Sequence, residues 1–147
     1  MGIGDDMKKI IYVIVMLCLC ACSNTEKVKL KKTVTIEFYS VATCAECKAF
    51  KKHAIPYFKE RYGGKVKIKM YDMDDDGTKK PYDQVIKSLK DFDENYYGMS
   101  PFVNIKGYMA YLGYRTGDEK QIAKDLEAKL KGKKMSAALS GHRYMYK

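Results

Sequence analysis

The chain has 147 residues, room for one domain and a targeting segment, and a globular composition without low-complexity tracts or internal repeats. Its formal charge is +10, with 13 tyrosines and no tryptophan. The lysines are scattered and no nucleic-acid-reading motif accompanies them, so the excess of base describes a solvated lysine surface, helped by any anionic lipid nearby, and argues against nucleic acid as a partner.

The N-terminal segment MKKIIYVIVMLCLCACS (7–23) sets the compartment. Two lysines precede an apolar run over 10–19, which is too short to span a bilayer and fits the apolar region of a signal peptide. Met7 is the expected start, because MGIGDD ahead of it adds acid where a signal carries base. Leu19-Cys20-Ala21-Cys22 resembles the lipobox of bacterial lipoproteins, and no A-x-A site competes with it. That resemblance implies a signal peptide over 1–21 and a lipidated Cys22 as the mature N-terminus. It also implies an extracytoplasmic protein anchored to a bacterial membrane, in the periplasm or at the cell surface. Ser23 is similar to the residue that directs outer-membrane sorting in Gram-negative bacteria. The alternative is an ordinary secretory signal in which these cysteines are incidental. On the lipoprotein reading only Cys44 and Cys47 remain as thiols, in an oxidising setting.

Residues 22–32 read as a lysine-rich tether. TVTIEFYS (33–40) alternates and is rich in β-branched and aromatic residues, which predicts a strand. Over 44–62 the period becomes helical. Cys47, Phe50, Ala54, Tyr57 and Phe58 share one stripe, and Lys48, Lys51, Lys52, Lys59 and Glu60 the other. Pro56 is expected to kink this helix and Gly63-Gly64 to end it. KVKIKMYD (65–72) alternates lysine with apolar residues, the pattern of a strand with one wet face at a sheet edge.

After the polar DMDDDGTKK, Pro81 is expected to open a second helix, with Tyr82, Val85, Ile86, Leu89 and Phe92 inward. SPFVNI (100–105) reads as a strand that Gly107 turns into another, YMAYLGY (108–114). Thr116 and Glu119 have capping-box spacing for a last helix with Ile122, Leu126 and Leu130 on one face and Gly132 at its end. Residues 132–147 read as a basic, frayed tail. The first two strands, joined through a helix, should be parallel, and the last two form a hairpin. The fold class is therefore α/β, a mixed four- to five-stranded sheet with helices on both faces, with the domain over 33–131.

C-A-E-C (44–47) lies where the first strand passes into the first helix. YDMDDD follows the second strand. Ser100-Pro101, within YGMSPF, opens the third, and a hairpin with Gly107 and Gly113 leads into the final helix. On these features residues 33–131 resemble the thioredoxin family. At a helix N-terminus the Cys44 thiolate would be stabilised by unpaired N–H groups and the helix dipole, making it the nucleophile. Cys47, one turn in and on the buried stripe, would resolve the mixed disulfide.

The resemblance further implies a cis Pro101 that brings Ser100 against the substrate chain. It also gives Glu37 the place of a buried acid relaying protons to the second cysteine, although one residue must be inserted to align it. The family's tryptophan before the first cysteine is absent, Ala42 and Thr43 standing there, and Ala-Glu replaces Gly-Pro between the cysteines. Glu46 should oppose the dipole and Lys48 reinforce it.

The activity implied is thiol–disulfide exchange on protein partners, with no cofactor, no metal and electrons passing to or from a separate redox protein. Two rivals share the cysteine pair. The thiols could hold a soft ion such as Cu(I), with His53 or a methionine helping. Alternatively, a structural disulfide could serve a binding module, although so short a loop constrains little of the unfolded chain. DMDDDGTKKPYD (72–83) also fits the spacing of a calcium loop, but with Asp83 at its twelfth position, Lys79 at its eighth and a strand before it.

Overall fold

The computed structural model describes residues 25–136 and 139–147, so the leader and the lipidation candidate Cys22 lie outside the described residues. β1 (Val34–Ser40) is made of β-branched and aromatic residues and is buried along nearly its whole length, as a strand covered on both faces must be. β2 (Val66–Asp72) runs parallel to it, Val34 opposite Val66, and forms one sheet edge, as its alternating lysines predict. β3 (Phe102–Ile105) flanks β1 on the other side in antiparallel sense, with Tyr39 opposite Phe102. β4 (Met109–Leu112) returns from β3 through the turn that Gly107 permits with its φ of +81°.

The sheet has five strands, the upper bound of the expectation, and the fifth comes from the tail. β5 (His142–Met145) pairs antiparallel with β4 and completes the mixed sheet in the order β2-β1-β3-β4-β5. The segment expected to fray is therefore partly folded. Arg143 forms an ion pair of 2.7 Å with Asp125, which is only 1% exposed. A four-residue strand held by its ladder to β4 and by a distant carboxylate carries too little periodicity to be read locally.

Between β1 and β2 runs a helical rod in three parts: α1 (Ala45–Ala49), a π-helical segment (Phe50–Ala54) and α2 (Ile55–Tyr62). Pro56 gives the reason for the middle part. It has no N–H to donate and its ring crowds the carbonyl four residues back, so the chain widens there and the Ile55 N–H bonds five residues back to the Phe50 carbonyl. The expected kink is absorbed as a wide turn. Gly63, with φ of +54°, ends the rod.

α3 (Asp76–Ser88) starts well before Pro81, because Asp75 caps it: the Asp75 Oδ1 accepts the Gly77 N–H at 2.8 Å. Pro81 is an interior residue, and Leu89 and Phe92 fall beyond the helix end. α4 (Asp118–Leu130) is entered through Gly117 at φ of +107°, so Thr116 is not its cap. Half of the expected capping box survives, since the Glu119 Oε2 accepts the Gly117 N–H at 2.8 Å.

The rod and α4 cover one face of the sheet, where Ile36 and Phe38 pack with Phe50, Phe58, Ile122 and Leu126. α3 covers the other, over Tyr39, Phe102 and Leu112. The tether joins the domain earlier than the sequence suggests. The Val28 N–H donates to the Arg61 carbonyl at 2.7 Å, and Leu30 is buried in the first core.

Candidate active site

Cys44 stands at the N-cap of the rod, in extended backbone (φ −73°, ψ 113°), immediately after β1 and a three-residue turn closed by the Cys44 N–H on the Val41 carbonyl. The Cys47 N–H donates to the Cys44 Sγ at 3.0 Å. The two sulfurs are joined in a disulfide, S–S 2.17 Å, with the Cα atoms 5.2 Å apart. The two differ in burial. Cys44 is half-buried at the surface, whereas Cys47 is 1% exposed and packs in the core with Phe38 and Phe50. On reduction, the same N–H that meets the Cys44 sulfur would stabilise its thiolate, and the buried thiol would lie one turn behind it.

The sheet register brings the other candidates to this end. Because Tyr39 pairs with Phe102, Pro101 lies one residue beyond β3, beside the point where β1 runs out toward Cys44. The Ser100-Pro101 bond is cis, Pro101 is buried and Ser100 half-buried. The Gly113 N–H donates to the Pro101 carbonyl at 3.0 Å, linking that corner to the end of β4. The Glu46 Oε2 accepts the Tyr114 N–H at 3.0 Å, so this carboxylate ties the cysteine turn to the loop before α4. Sequence reading saw only its charge, because the partner is a backbone donor 68 residues away. Lys48 is exposed on the rod.

Next to the turn opens a groove of about 310 Å³ between Val41, Met73, Tyr82, Tyr97 and Gly98. Two of its lining residues, Lys79 and Tyr97, donate to Asp83 behind them, and these bonds hold the Asp83 carboxyl below the usual range. Tyr97 and Met99, both substantially exposed, flank Ser100 and give this end an apolar rim.

Glu37 is not part of this arrangement. Strand alternation points Ile36 and Phe38 toward Cys47 and turns Glu37 to the opposite face. There it accepts from the Asn104 Nδ2 at 2.9 Å, lies 3.7 Å from the Lys106 Nζ, and is 5% exposed. The sheet thus stands between Glu37 and the cysteine it was expected to serve, and the relay role is withdrawn. The calcium-loop spacing also dissolves, because residues 76–83 are helical and Asp75 and Asp72 accept backbone N–H groups. His53 lies in the π-helical segment and lines a different cleft with Lys52, Pro56 and Tyr57. Among the described residues no group of three or more His, Cys, Asp or Glu side chains could hold a metal ion.

Compared with protein-family models, with curated proteins and with solved structures, the chain matches none. No helix among the described residues is long and apolar enough to cross a membrane.

Proposed function

We propose that this chain is a thioredoxin-like thiol–disulfide oxidoreductase, tethered to a bacterial membrane by a lipid on Cys22 and acting on protein thiols or disulfides outside the cytoplasm. The observation that carries the reading is the Cys44–Cys47 pair at the junction of a central strand and a helix N-terminus, one sulfur accessible and the other buried. The α/β topology supports the fold assignment: a parallel β1–β2 pair joined through a helix, an antiparallel β3–β4 hairpin opened by a cis proline, and helices on both faces.

In the reduced state the Cys44 thiolate attacks a substrate disulfide. One S–S bond breaks, a mixed disulfide forms, and the departing substrate thiolate takes up a proton. Cys47, deprotonated, then attacks the Cys44 sulfur, forming the intramolecular disulfide and releasing the second substrate thiol. Two electrons have moved to the substrate, and the reverse sequence oxidises a dithiol. A separate redox protein restores the starting state, and no cofactor enters either step. The exposed Tyr97 and Met99 beside Ser100 offer the substrate chain an apolar seat.

The test is a redox titration against glutathione, read by thiol labelling and intact mass. Cys44 and Cys47 are expected to titrate as one two-electron couple between about −270 and −120 mV. A pair still oxidised well below about −300 mV would be a structural disulfide and would overturn the enzyme reading. Cys44→Ser should abolish exchange, and Cys47→Ser should accumulate the mixed disulfide.

A further inference from the structure

The two ends of the sheet differ in charge. Lys31 and Lys32 precede β1, Lys65 precedes β2, Lys106 sits in the β3–β4 turn, and Lys131 and Lys133 follow α4. The strand registers bring the first four to one end, the Arg61–Glu127 pair brings the end of α4 there, and all six side chains are exposed. Among the described residues only Lys106 of the six is within ion-pair distance of a carboxylate, Glu37. The acids at this end are Glu26, Glu37, Glu60, Asp91 and Glu127; Glu37 faces Lys106, and Glu127 is neutralised by Arg61 at 2.7 Å. The opposite end, which carries the disulfide, holds Glu46, Asp72, Asp74, Asp75, Asp76 and Asp118 against Lys48, Lys79, Lys80 and Arg115.

The tether arrives at the basic end. The Glu26 carbonyl accepts from Arg61 at 2.9 Å, near the last turn of α2. Glu26 is four Cα–Cα steps from Cys22, a span of at most about 14 Å. The rod leads away from that point through the 5, 5 and 8 residues of its three parts, so Cys44 stands about 27 Å from it along the axis. A lipid on Cys22 would hold the basic end within roughly one or two Debye lengths of the headgroups at physiological ionic strength, about 8 Å each.

We propose that the end of the domain formed by the starts of β1 and β2, the β3–β4 turn and the segment after α4 docks on a membrane surface bearing anionic headgroups. The disulfide end then faces away from the bilayer, toward partner proteins. Charge complementarity and the short tether act together: the lipid supplies proximity and the lysines supply orientation. The proposal rests on the tethered reading above for its proximity, not for its charge.

The experiment uses the full chain, processed and lipidated in a bacterium. It is reconstituted on phosphatidylcholine vesicles or on vesicles containing phosphatidylglycerol, and labelled with an amine-acetylating reagent read by mass spectrometry. On the anionic vesicles Lys31, Lys65 and Lys133 should label several-fold more slowly than on the neutral ones, while Lys48 and Lys80 label equally on both. Molar salt, which cuts the Debye length to about 3 Å, should erase the difference. The combined variant Lys31→Glu, Lys65→Glu, Lys133→Glu, checked for an unchanged circular dichroism spectrum, should lose the protection at Lys32, Lys106 and Lys131.

Equal labelling on the two surfaces, or protection centred on Lys48 and Lys80, would overturn the proposal. A chain that fails to sediment with phosphatidylcholine vesicles would refute the lipid anchor alone. If that chain still sediments with anionic vesicles and shows the same protected lysines, the docking surface stands. Sedimentation with neither overturns both.

Discussion

Glu46 shows how one side chain can hold two tasks. Its carboxylate accepts the Tyr114 N–H and so fixes the cysteine turn against the loop before α4, while its charge sits in the first turn of the rod beside Cys44. A negative charge there disfavours a second one on the sulfur. Glu46→Gln keeps an acceptor for Tyr114 and removes the charge, so the midpoint of the Cys44 alkylation–pH profile should move to lower pH with little change in stability. An unmoved midpoint would mean that solvent screens the carboxylate. Tyr114 itself is buried, and burial followed by its 2.6 Å bond to Glu119 pushes its phenol well above the usual range. It therefore stays a neutral donor that anchors the entry to α4.

Among the elements, α2 and α4 are joined by Arg61 and Glu127. The Arg61 Nε and Nη2 reach the Glu127 Oε1 and Oε2 at 2.7 and 3.1 Å, and the Tyr62 hydroxyl adds a third bond at 2.9 Å. Burial alone would raise the Glu127 carboxyl, but these bonds and the Arg61 charge bring it below its ordinary value of 4.5. The sign for stability follows. A depressed folded-state value contributes stability that is present above the unfolded value and is lost as pH falls from there through the folded one. At pH 7 Glu127→Gln should cost about 1–2 kcal/mol, more than an exposed pair and less than a fully buried one. Urea midpoints at pH 7 and pH 3 should show wild type and variant converging in acid, and a gap that persists at pH 3 would contradict the assignment.

The joint between β4 and β5 is tighter. At Gly141 a Cβ would lie 2.1 Å from the Leu112 carbonyl oxygen. Gly141→Ala should therefore displace the start of β5 and cost about 1–3 kcal/mol. Hydrogen exchange should localise the loosening to β5 and the end of β4, and wild-type protection there would show that the backbone gives way without cost.

For the whole molecule the closing strand is the decisive addition. Asp125, on α4 and almost fully buried, is met by Arg143 at 2.7 Å, the Gln121 Nε2 at 2.9 Å, the Tyr111 hydroxyl at 3.2 Å and the Ser136 N–H at 3.2 Å. Removing the cation leaves a buried charge without its counter-ion. Arg143→Ala should cost about 2–4 kcal/mol, and adding Asp125→Asn should recover a good part of the loss. A double variant no more stable than the single one would mean that Arg143 acts through packing. The residues just after this strand, Tyr146 and Lys147, bridge to Leu89 and to the Ser88 carbonyl, so this segment also closes the far end of α3.

The sequence by itself determined the two-cysteine turn, the parallel crossover, the edge strand with alternating lysines, the hairpin at Gly107 and the layering of helices on both faces. Each follows from a local period or a local backbone demand, such as the 3.6-residue stripe through Cys47, Phe50 and Ala54. Only the tertiary structure decided which carboxylates belong to the site. Glu37 and Glu46 are equally acidic letters, but the pleat turns one away from Cys47 while the fold brings a backbone donor to the other. It also decided that the tail becomes a strand and that Asp75, not Pro81, begins a helix. In these cases the deciding partner is a backbone group or a charge supplied by the folded arrangement, and neither leaves a periodic trace in the chain.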